Sequence, residues 1–372
     1  MQPFGLTLFF TKGVSLGTWD SVGMIGREIA IYRKLQESGY SVQFVTYGGK
    51  QEARFRQIMD GINLVHNLWN LPMEWYVRSL PRSLFKGKRQ IYKSNQVNGA
   101  EVAQQMAANR GAHFVARCGY LLSYNEMRKY GEGSAQHRQA VALEKGVFEG
   151  AEAVIVTTPK IRDQVLSVYD VFRERIHVIP NYVETEHFAP LERKNNDRLH
   201  IGFLGRLDTE KDPRLFLEAV KDLDAQIEII GDGPMRAEME AAAQGSRADV
   251  RFLGNMPHHE LPTILNGWDI FLMTSHYEGH PKALIEAMSC GLPVVASRVP
   301  GIQELINEGD DGLLVEPEAH AFRQAIQRLM GDGGLRMRLG KAARQRVQDD
   351  FSLDRVVQLE LAVYNCLLET DA

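Results

Sequence analysis

The sequence predicts an α/β protein of two domains, each a doubly wound parallel sheet with Rossmann-like connections. Three observations carry this. At 372 residues the chain exceeds the roughly 250 to 300 residues at which a single core stops growing. Short β-branched or aromatic runs alternate with longer amphipathic stretches, and no low-complexity segment or solenoid-period repeat interrupts them. The alternation stops once, at a polar segment, and then restarts.

In the first half the strand candidates are FGLTLFF (4–10), SVQFVTY (41–47), INLVH (62–66), RQIYKSN (89–95), AHFVAR (112–117), AEAVIVT (151–157) and RIHVIP (175–180). Helical patterns separate them. A parallel crossover needs about a dozen residues or more, so strands joined by helix-length connections pair in parallel. The second half gives LHIGFLG (199–205), AQIEIIG (225–231), DVRFLG (249–254), DIFLMTS (269–275), LPVVAS (292–297) and DGLLVEP (311–317). Between the halves, NYVETEHFAPLERKNND (181–197) is polar and aperiodic, which predicts a linker. The expected domains are therefore 1–180 and 181–350, followed by an amphipathic C-terminal helix in 351–372 with an apolar stripe through Val356, Leu359 and Val363.

Composition narrows the function classes. The chain is 44% hydrophobic and 24% charged, and no apolar run approaches the ~18 residues of a membrane span. The start, MQPFGLTLFFTKG, has no preceding basic region and no small-residue cleavage site, so it reads as a first strand, and the cytoplasm is the expected location. Cys118, Cys290 and Cys366 are far apart and odd in number, which suits buried small hydrophobes better than a disulfide framework or a zinc site. Net charge is −4, but residues 1–180 hold 23 Lys and Arg against 15 Asp and Glu, whereas the remainder holds 20 against 32. A basic first half fits an anionic membrane surface or a phosphorylated acceptor; an evenly solvated surface is the alternative. The stretch WYVRSLPRSLFKGKRQIYK (75–93), aromatics among cations, reads either as peripheral contact with anionic lipid or a lipid-linked acceptor, or as a solvated helix and loop. No nucleic-acid partner is expected.

The densest chemistry lies in HYEGHPKALIEAM (276–288). Its two glutamates, Glu278 and Glu286, are eight positions apart. Eight helical residues rise about 12 Å, more than the ~5 to 9.5 Å between paired glycosidase carboxylates, so shared acid/base work is not expected. Pro281 suits the first helical position. The N–H groups of Lys282, Ala283 and Leu284 would then face outward at the positive end of the helix, where an anion is favoured. Carboxylates on either side of a bound phosphate suit hydroxyl groups on both sides of it, the layout of a sugar nucleotide.

GFLGRLDTEKDP (202–213) supplies cations. Gly205 ends a strand, Arg206 follows it, and Lys211 precedes a plausible cap and first helical residue, Asp212 and Pro213. Together the two cations would stabilise a departing diphosphate; strand-end surface charges are the plainer reading. IIGDGP, with Asp232 and Gly233, and LGNMPHHEL, with Met256, end two further strands with small residues that let a flat base approach. In TKGVSLGTWDSVG (11–23), before a helix expected from Trp19, Gly17 would approach a phosphate or simply form a turn.

Taken together, EGHPKALIEAMSCGLPVVAS, GRLDTEKD and GDGP resemble, in order and spacing, the retaining glycosyltransferases of family four, of the two-domain type called GT-B, with a Glu-x7-Glu signature. The resemblance covers nearly the whole chain. It implies that Glu286 binds ribose hydroxyls and Glu278 the transferred sugar near its anomeric carbon. Arg206 and Lys211 would hold the diphosphate over the backbone of Gly279, His280, Pro281, Lys282 and Ala283, with no metal or other cofactor. It further implies a C-terminal helix that crosses back onto the N-domain, and an acceptor, whether glycan, lipid-linked or small molecule, that enters from that domain. VIPNYVETEHFAP resembles the family's interdomain strand and linker, with Tyr182 in place of the usual glycine and Glu184 in place of aspartate. At the end of the fifth N-domain strand, where many members carry a histidine, HFVARCGYLLSY places Arg117 and Cys118, followed by Tyr120. Arg117 is thereby a candidate contact for a charged acceptor or the donor's sugar, and His113 is expected to be structural. Two rivals stay open: a sugar-nucleotide epimerase or phosphorylase on a similar fold, and a sugar-nucleotide-binding subunit without catalysis.

Overall fold

The computed structural model describes residues 4–80, 84–85, 89–192 and 198–369. Arg82, Lys86 and Lys88 of the basic stretch lie outside the described residues, as do 193–197 of the expected linker. The chain divides into two units, Met1–Pro180 with Val357–Ala372, and Asn181–Val356.

The first unit holds a seven-stranded parallel sheet: β1 (Gly5–Phe9), β2 (Ser41–Val45), β3 (Asn63–Val65), β4 (Gln90–Ser94), β5 (His113–Cys118), β6 (Ala153–Val156) and β7 (Ile176–Val178), in the order β3-β2-β1-β4-β5-β6-β7. The second unit holds six: β8 (His200–Leu204), β9 (Gln226–Ile230), β10 (Asp249–Gly254), β11 (Ile270–Met273), β12 (Val294–Ser297) and β13 (Leu313–Val315), in the order β10-β9-β8-β11-β12-β13. Every strand lies within the run that predicts it except β5, which extends one residue further, to Cys118. In each sheet the order reverses beside its first strand, and such a switch point opens a crevice at the carboxyl ends of the flanking strands. In the second unit those strands are β8 and β11, which pair in parallel through Ile270 with Ile201 and Phe271 with Gly202.

Packing explains several sequence choices. A Cβ at Gly202 would lie 1.9 Å from the ring of Trp268, a fully buried side chain whose indole N–H donates to Glu228 Oε2 at 2.7 Å. The expected linker behaves differently from its composition. Tyr182, Val183 and Phe188 are buried, Val183 bridges to Ser352, and the Phe188 carbonyl accepts from Ser289 Oγ and from Arg344, both at 2.6 Å. Residues 181–192 therefore begin the second unit rather than tether two units loosely.

The C-terminal helix, Leu353–Glu369, changes partner along its length. The Leu353 N–H donates to Val183 O at 3.0 Å, so its first turn stays with the second unit, and membership of the first unit begins at Val357 rather than at the expected residue 351. There Glu360 pairs with Lys93 of β4 at 2.5 Å, both side chains buried, and Tyr364 donates to the same carboxylate. Among the described residues no helix is long and apolar enough to cross a membrane.

The first unit is rich in buried phenols. Burial pushes Tyr40, Tyr47 and Tyr92 up to about 12, and burial with Glu360 raises Tyr32 and Tyr364 as well. A folded-state value above the unfolded one means that the native state keeps a proton that the unfolded chain releases. This contribution to stability is intact below the ordinary tyrosine value of 10.0 and is lost as pH rises through the raised values. Alkaline titration is thus expected to show the buried phenols ionising together with unfolding, at or above about pH 11 to 12. Tyrosinate absorbance followed beside circular dichroism checks this; ionisation of all tyrosines near 10 with the fold intact would contradict it.

Candidate active site

The loop after β8 and the loop after β11 are fastened to each other at several points. Asp208 folds the first of them: its Oδ1 accepts the N–H groups of Glu210 and Lys211, each at 3.1 Å. Asp212 takes a left-handed backbone, φ 44°, unusual for a side chain other than glycine, and caps the helix Pro213–Val220 by accepting the Leu215 N–H at 3.1 Å. From the β11 side, Thr274 Oγ1 donates to the carbonyls of Lys211 and Asp212 at 3.0 Å. The His276 N–H donates to Glu210 O at 3.0 Å, and its ring Nε2 lies 2.7 Å from Asp212 Oδ2.

This bracing sets the position of Lys211. Its Nζ lies 2.5 Å from Glu278 Oε1, and Ser275 Oγ donates to the same oxygen at 2.7 Å. Glu278 is only 9% exposed. Two residues that the sequence assigns to separate parts of a ligand therefore form one ion pair. Arg206 behaves otherwise: its side chain is 74% exposed and donates through Nε to Asp208 Oδ2 at 2.8 Å.

The helix of the glutamate segment runs Lys282–Ser289, with Pro281 as N-cap in extended conformation and no side chain capping the end. Pro281 thus stands one position before the first helical residue expected for it, a shift within the normal spread of helix boundaries. The turn before the helix is held from several directions. Asn181 Nδ2 donates to His280 O at 2.7 Å, the His280 ring meets Phe351 edge-on at 5.1 Å, and a Cβ at Gly301 would lie 2.0 Å from Glu278 O and 2.7 Å from Gly279 O. Such close approach demands glycine at 301. The second residue of the helix, Ala283, packs against the apolar core.

Glu286 lies deep, 2% exposed, with His258 Nε2 at 3.0 Å from its Oε1. The His258 ring packs on Phe188, centroids 5.0 Å apart. His258 does not stand out in the sequence, because only folding brings Glu286 near it; Asp208 has partners two and three positions away, and the D-x-x-K spacing was the signal that could have found it.

The glycines of IIGDGP have a packing use beside the one expected. Leu207 N–H donates to Asp232 O and Met235 N–H to Leu207 O, both at 3.0 Å. A Cβ at Gly233 would lie 2.4 Å from Leu207 O, and one at Gly231, where φ is 128°, would lie 1.9 Å from Gly205 O. They are glycine because this loop packs against the backbone of the Gly205–Arg206 turn, whatever ligand lies beyond. Asp232 Oδ1 accepts the Gly233 N–H at 2.7 Å, and Met256 packs half-buried against the core of the second unit.

In the first unit Gly17 is helical: the helix is Leu16–Ser21, capped by Ser15 in a capping box with Thr18, three residues ahead of the expected start at Trp19. The Gly17 N–H donates to the buried carboxylate of Glu52 at 2.9 Å, so a carboxylate takes the place proposed for a phosphate. Arg117 and Cys118 end β5; the Arg117 N–H donates to Ser94 Oγ at 3.0 Å. Cys118 Sγ lies 3.1 Å from Tyr120 O, and burial, reinforced by Glu144, pushes its thiol up. That favours a packing role for Cys118 over a reactive one.

Comparison with known proteins bears on the family. Residues 30–182 match the family described as Glycosyl transferase 4-like domain, and residues 184–346 match Glycosyl transferases group 1. The chain belongs to glycosyltransferase family four, on the GT-B fold. D-inositol 3-phosphate glycosyltransferase 1 of Catenulispora acidiphila is 26% identical over 388 residues, 95% of this chain and 93% of that protein. Alpha-D-kanosaminyltransferase of Streptomyces kanamyceticus is 29% identical over 229 residues, 56% of this chain and 59% of that protein. For 2-deoxystreptamine glucosyltransferase of the same organism the values are 27% over 252 residues, 63% and 65%. The match thus spans about six tenths of these two relatives' length. The GT-B fold is shared with HepE of Anabaena in complex with UDP and glucose, with a TM-score of 0.76 at 16% identity over 97% of this chain and 99% of that one.

Proposed function

We propose that this chain is a retaining, metal-independent glycosyltransferase that moves a hexosyl unit from a nucleoside diphosphate sugar to an acceptor hydroxyl in glycan, glycolipid or related synthesis. The observation that carries the proposal is the Lys211–Glu278 pair at 2.5 Å, built on adjacent strands at a switch point and followed by a helix N-terminus that no side chain caps.

In this reading the donor diphosphate lies over His280, Pro281 and Lys282. It draws the Lys211 ammonium off Glu278 and the Arg206 guanidinium off Asp208. Glu278 then accepts hydrogen bonds from the transferred sugar, and Glu286, steadied by His258, accepts those of the ribose. Gly205, Asp232, Gly233 and Met256 border the base. As the bond from the anomeric carbon to the diphosphate oxygen breaks, charge grows on the leaving group, where the two cations and the helix end stabilise it. The acceptor oxygen bonds to the anomeric carbon on the same face, and its proton passes to a phosphate oxygen of the leaving group. Arg117, with Tyr120 nearby in sequence, is assigned to the acceptor or the donor's sugar.

HepE was solved with UDP-glucose, which supports testing uridine donors first. A thermal-shift screen against UDP-, GDP- and ADP-sugars decides the matter. A ligand that binds only the native state at about a hundred times its Kd should raise the unfolding midpoint by roughly 5 °C. No shift with any of the three would overturn the donor assignment, and epimerised donor without acceptor would favour the epimerase.

A further inference from the structure

The first unit carries a surface that neither folding nor sugar transfer explains. Trp69 is 76% exposed, Trp75 64%, Leu68 49% and Met73 37%, all within eight residues. A folded surface seldom leaves so much aromatic and aliphatic area together in water, and such patches mark interaction sites. The conformation is built in. Asn67 clamps the loop by donating to Leu71 O at 2.7 Å and accepting the Leu71 N–H at 2.8 Å, which leaves Trp69 on the outside. The next helix, Met73–Ser79, buries Tyr76, whose hydroxyl donates to Thr46 O at 2.8 Å; Trp75 and Arg78, three apart on the same helix, stay exposed.

The stretch that carries the patch is basic in sequence: residues 61–100 contain six Lys and Arg and a single acid, Glu74. Of the described cations there, Arg78 is exposed on the same short helix as Glu74, and Lys93 is buried. Arg56, exposed, lines with Trp69 one cavity of about 340 Å³ whose walls include Leu64, Leu71 and Leu80. Exposed indole rings with cations nearby in the chain, and a recess lined by Arg56, Asn63 and Trp69, match the boundary of a bilayer: the rings lie at headgroup depth, guanidinium groups meet lipid phosphates, and the recess accepts one headgroup.

We propose that Leu68, Trp69, Met73 and Trp75, with Arg56 and Arg78, form a docking surface for an anionic lipid bilayer. The partner is a lipid surface rather than a protein because the stretch is basic in sequence and the two indoles are held outward on a fixed loop and a short helix. This does not depend on the donor assignment, and its test leaves that assignment untouched.

The full chain is sedimented with vesicles of phosphatidylcholine alone and of phosphatidylcholine mixed with phosphatidylglycerol. Binding is expected only to the mixed vesicles, weakening as salt is added, with a blue shift of tryptophan emission. The variants Trp69→Ser with Trp75→Ser, and Arg56→Gln with Arg78→Gln, should each lower the partition coefficient by about tenfold or more. Their circular dichroism and nucleotide-induced thermal shift should match the unsubstituted chain, which separates lost docking from lost folding. Absence of binding to the mixed vesicles, equal binding to neutral ones, or unchanged binding by both variants would overturn the proposal. A dimer abolished by the tryptophan substitutions would overturn it too, by assigning the patch to a second copy.

Discussion

Replacing Lys211 with alanine is expected to lower kcat by about 10² to 10³, with a much smaller change in the donor KM. The ammonium is held in place by a loop that Asp208, Thr274 and His276 brace, so its catalytic value lies in being ready where charge develops on the leaving group. Stability should change little. Ser275 still donates to Glu278 at 2.7 Å, and the Lys211 side chain is 26% exposed, so water screens the lost pair. Glu278→Gln keeps the shape and removes the charge. It should cost a comparable factor, and the double variant should cost much less than the product of the two, because residues in contact act as a unit. Steady-state kinetics on the three variants measure this. A Lys211→Ala enzyme within about fivefold of the unsubstituted kcat would remove the lysine from leaving-group stabilisation.

What could be read from the sequence follows the range of the interaction responsible. All thirteen strands were legible, since each is a local run of β-branched or aromatic residues set off by a helix-length connection. The glutamate segment was legible for the same reason: strand end, turn, proline and helix start are consecutive, and the chemistry follows from their spacing. The first helix was misplaced by three residues because its capping box uses Thr18 where Glu or Gln is the familiar signal. Residues 181–192 look like a linker by composition, yet the burial of Phe188 depends on Ser289 and Arg344, more than a hundred positions away. His258 and Glu286 are 28 positions apart, and no local pattern links them. The glycines of GDGP also meet the backbone of another loop, a packing demand that no local pattern announces.

Loss of the buried pair between Lys93 and Glu360, 267 positions apart, is the largest stability effect expected. Lys93 is 1% and Glu360 3% exposed. The lysine sits in the middle of the first sheet beside the rings of Tyr32 and Tyr364, 5.9 and 5.8 Å from its Nζ. Burial holds it below the ordinary lysine value; Glu360 pulls it up, and Arg117 pushes it further down. Lys93→Met leaves the carboxylate buried without its ammonium, beside the Tyr364 hydroxyl. Breaking such a pair from one side costs about 3 to 5 kcal/mol, because the remaining charge has lost both water and partner. Since this pair ties residues 357–369 to β4, the first unit's unfolding midpoint should fall by roughly 10 °C. The triple variant Lys93→Met, Glu360→Leu, Tyr364→Phe removes the ion pair and the hydroxyl bonded to it and should recover most of that loss, since a packed apolar replacement carries no desolvation penalty. Differential scanning calorimetry distinguishes the cases. A triple variant no more stable than Lys93→Met would mean that the cluster acts through shape, and a Lys93→Met midpoint within about 2 °C of the unsubstituted chain would mean that the pair holds nothing in place.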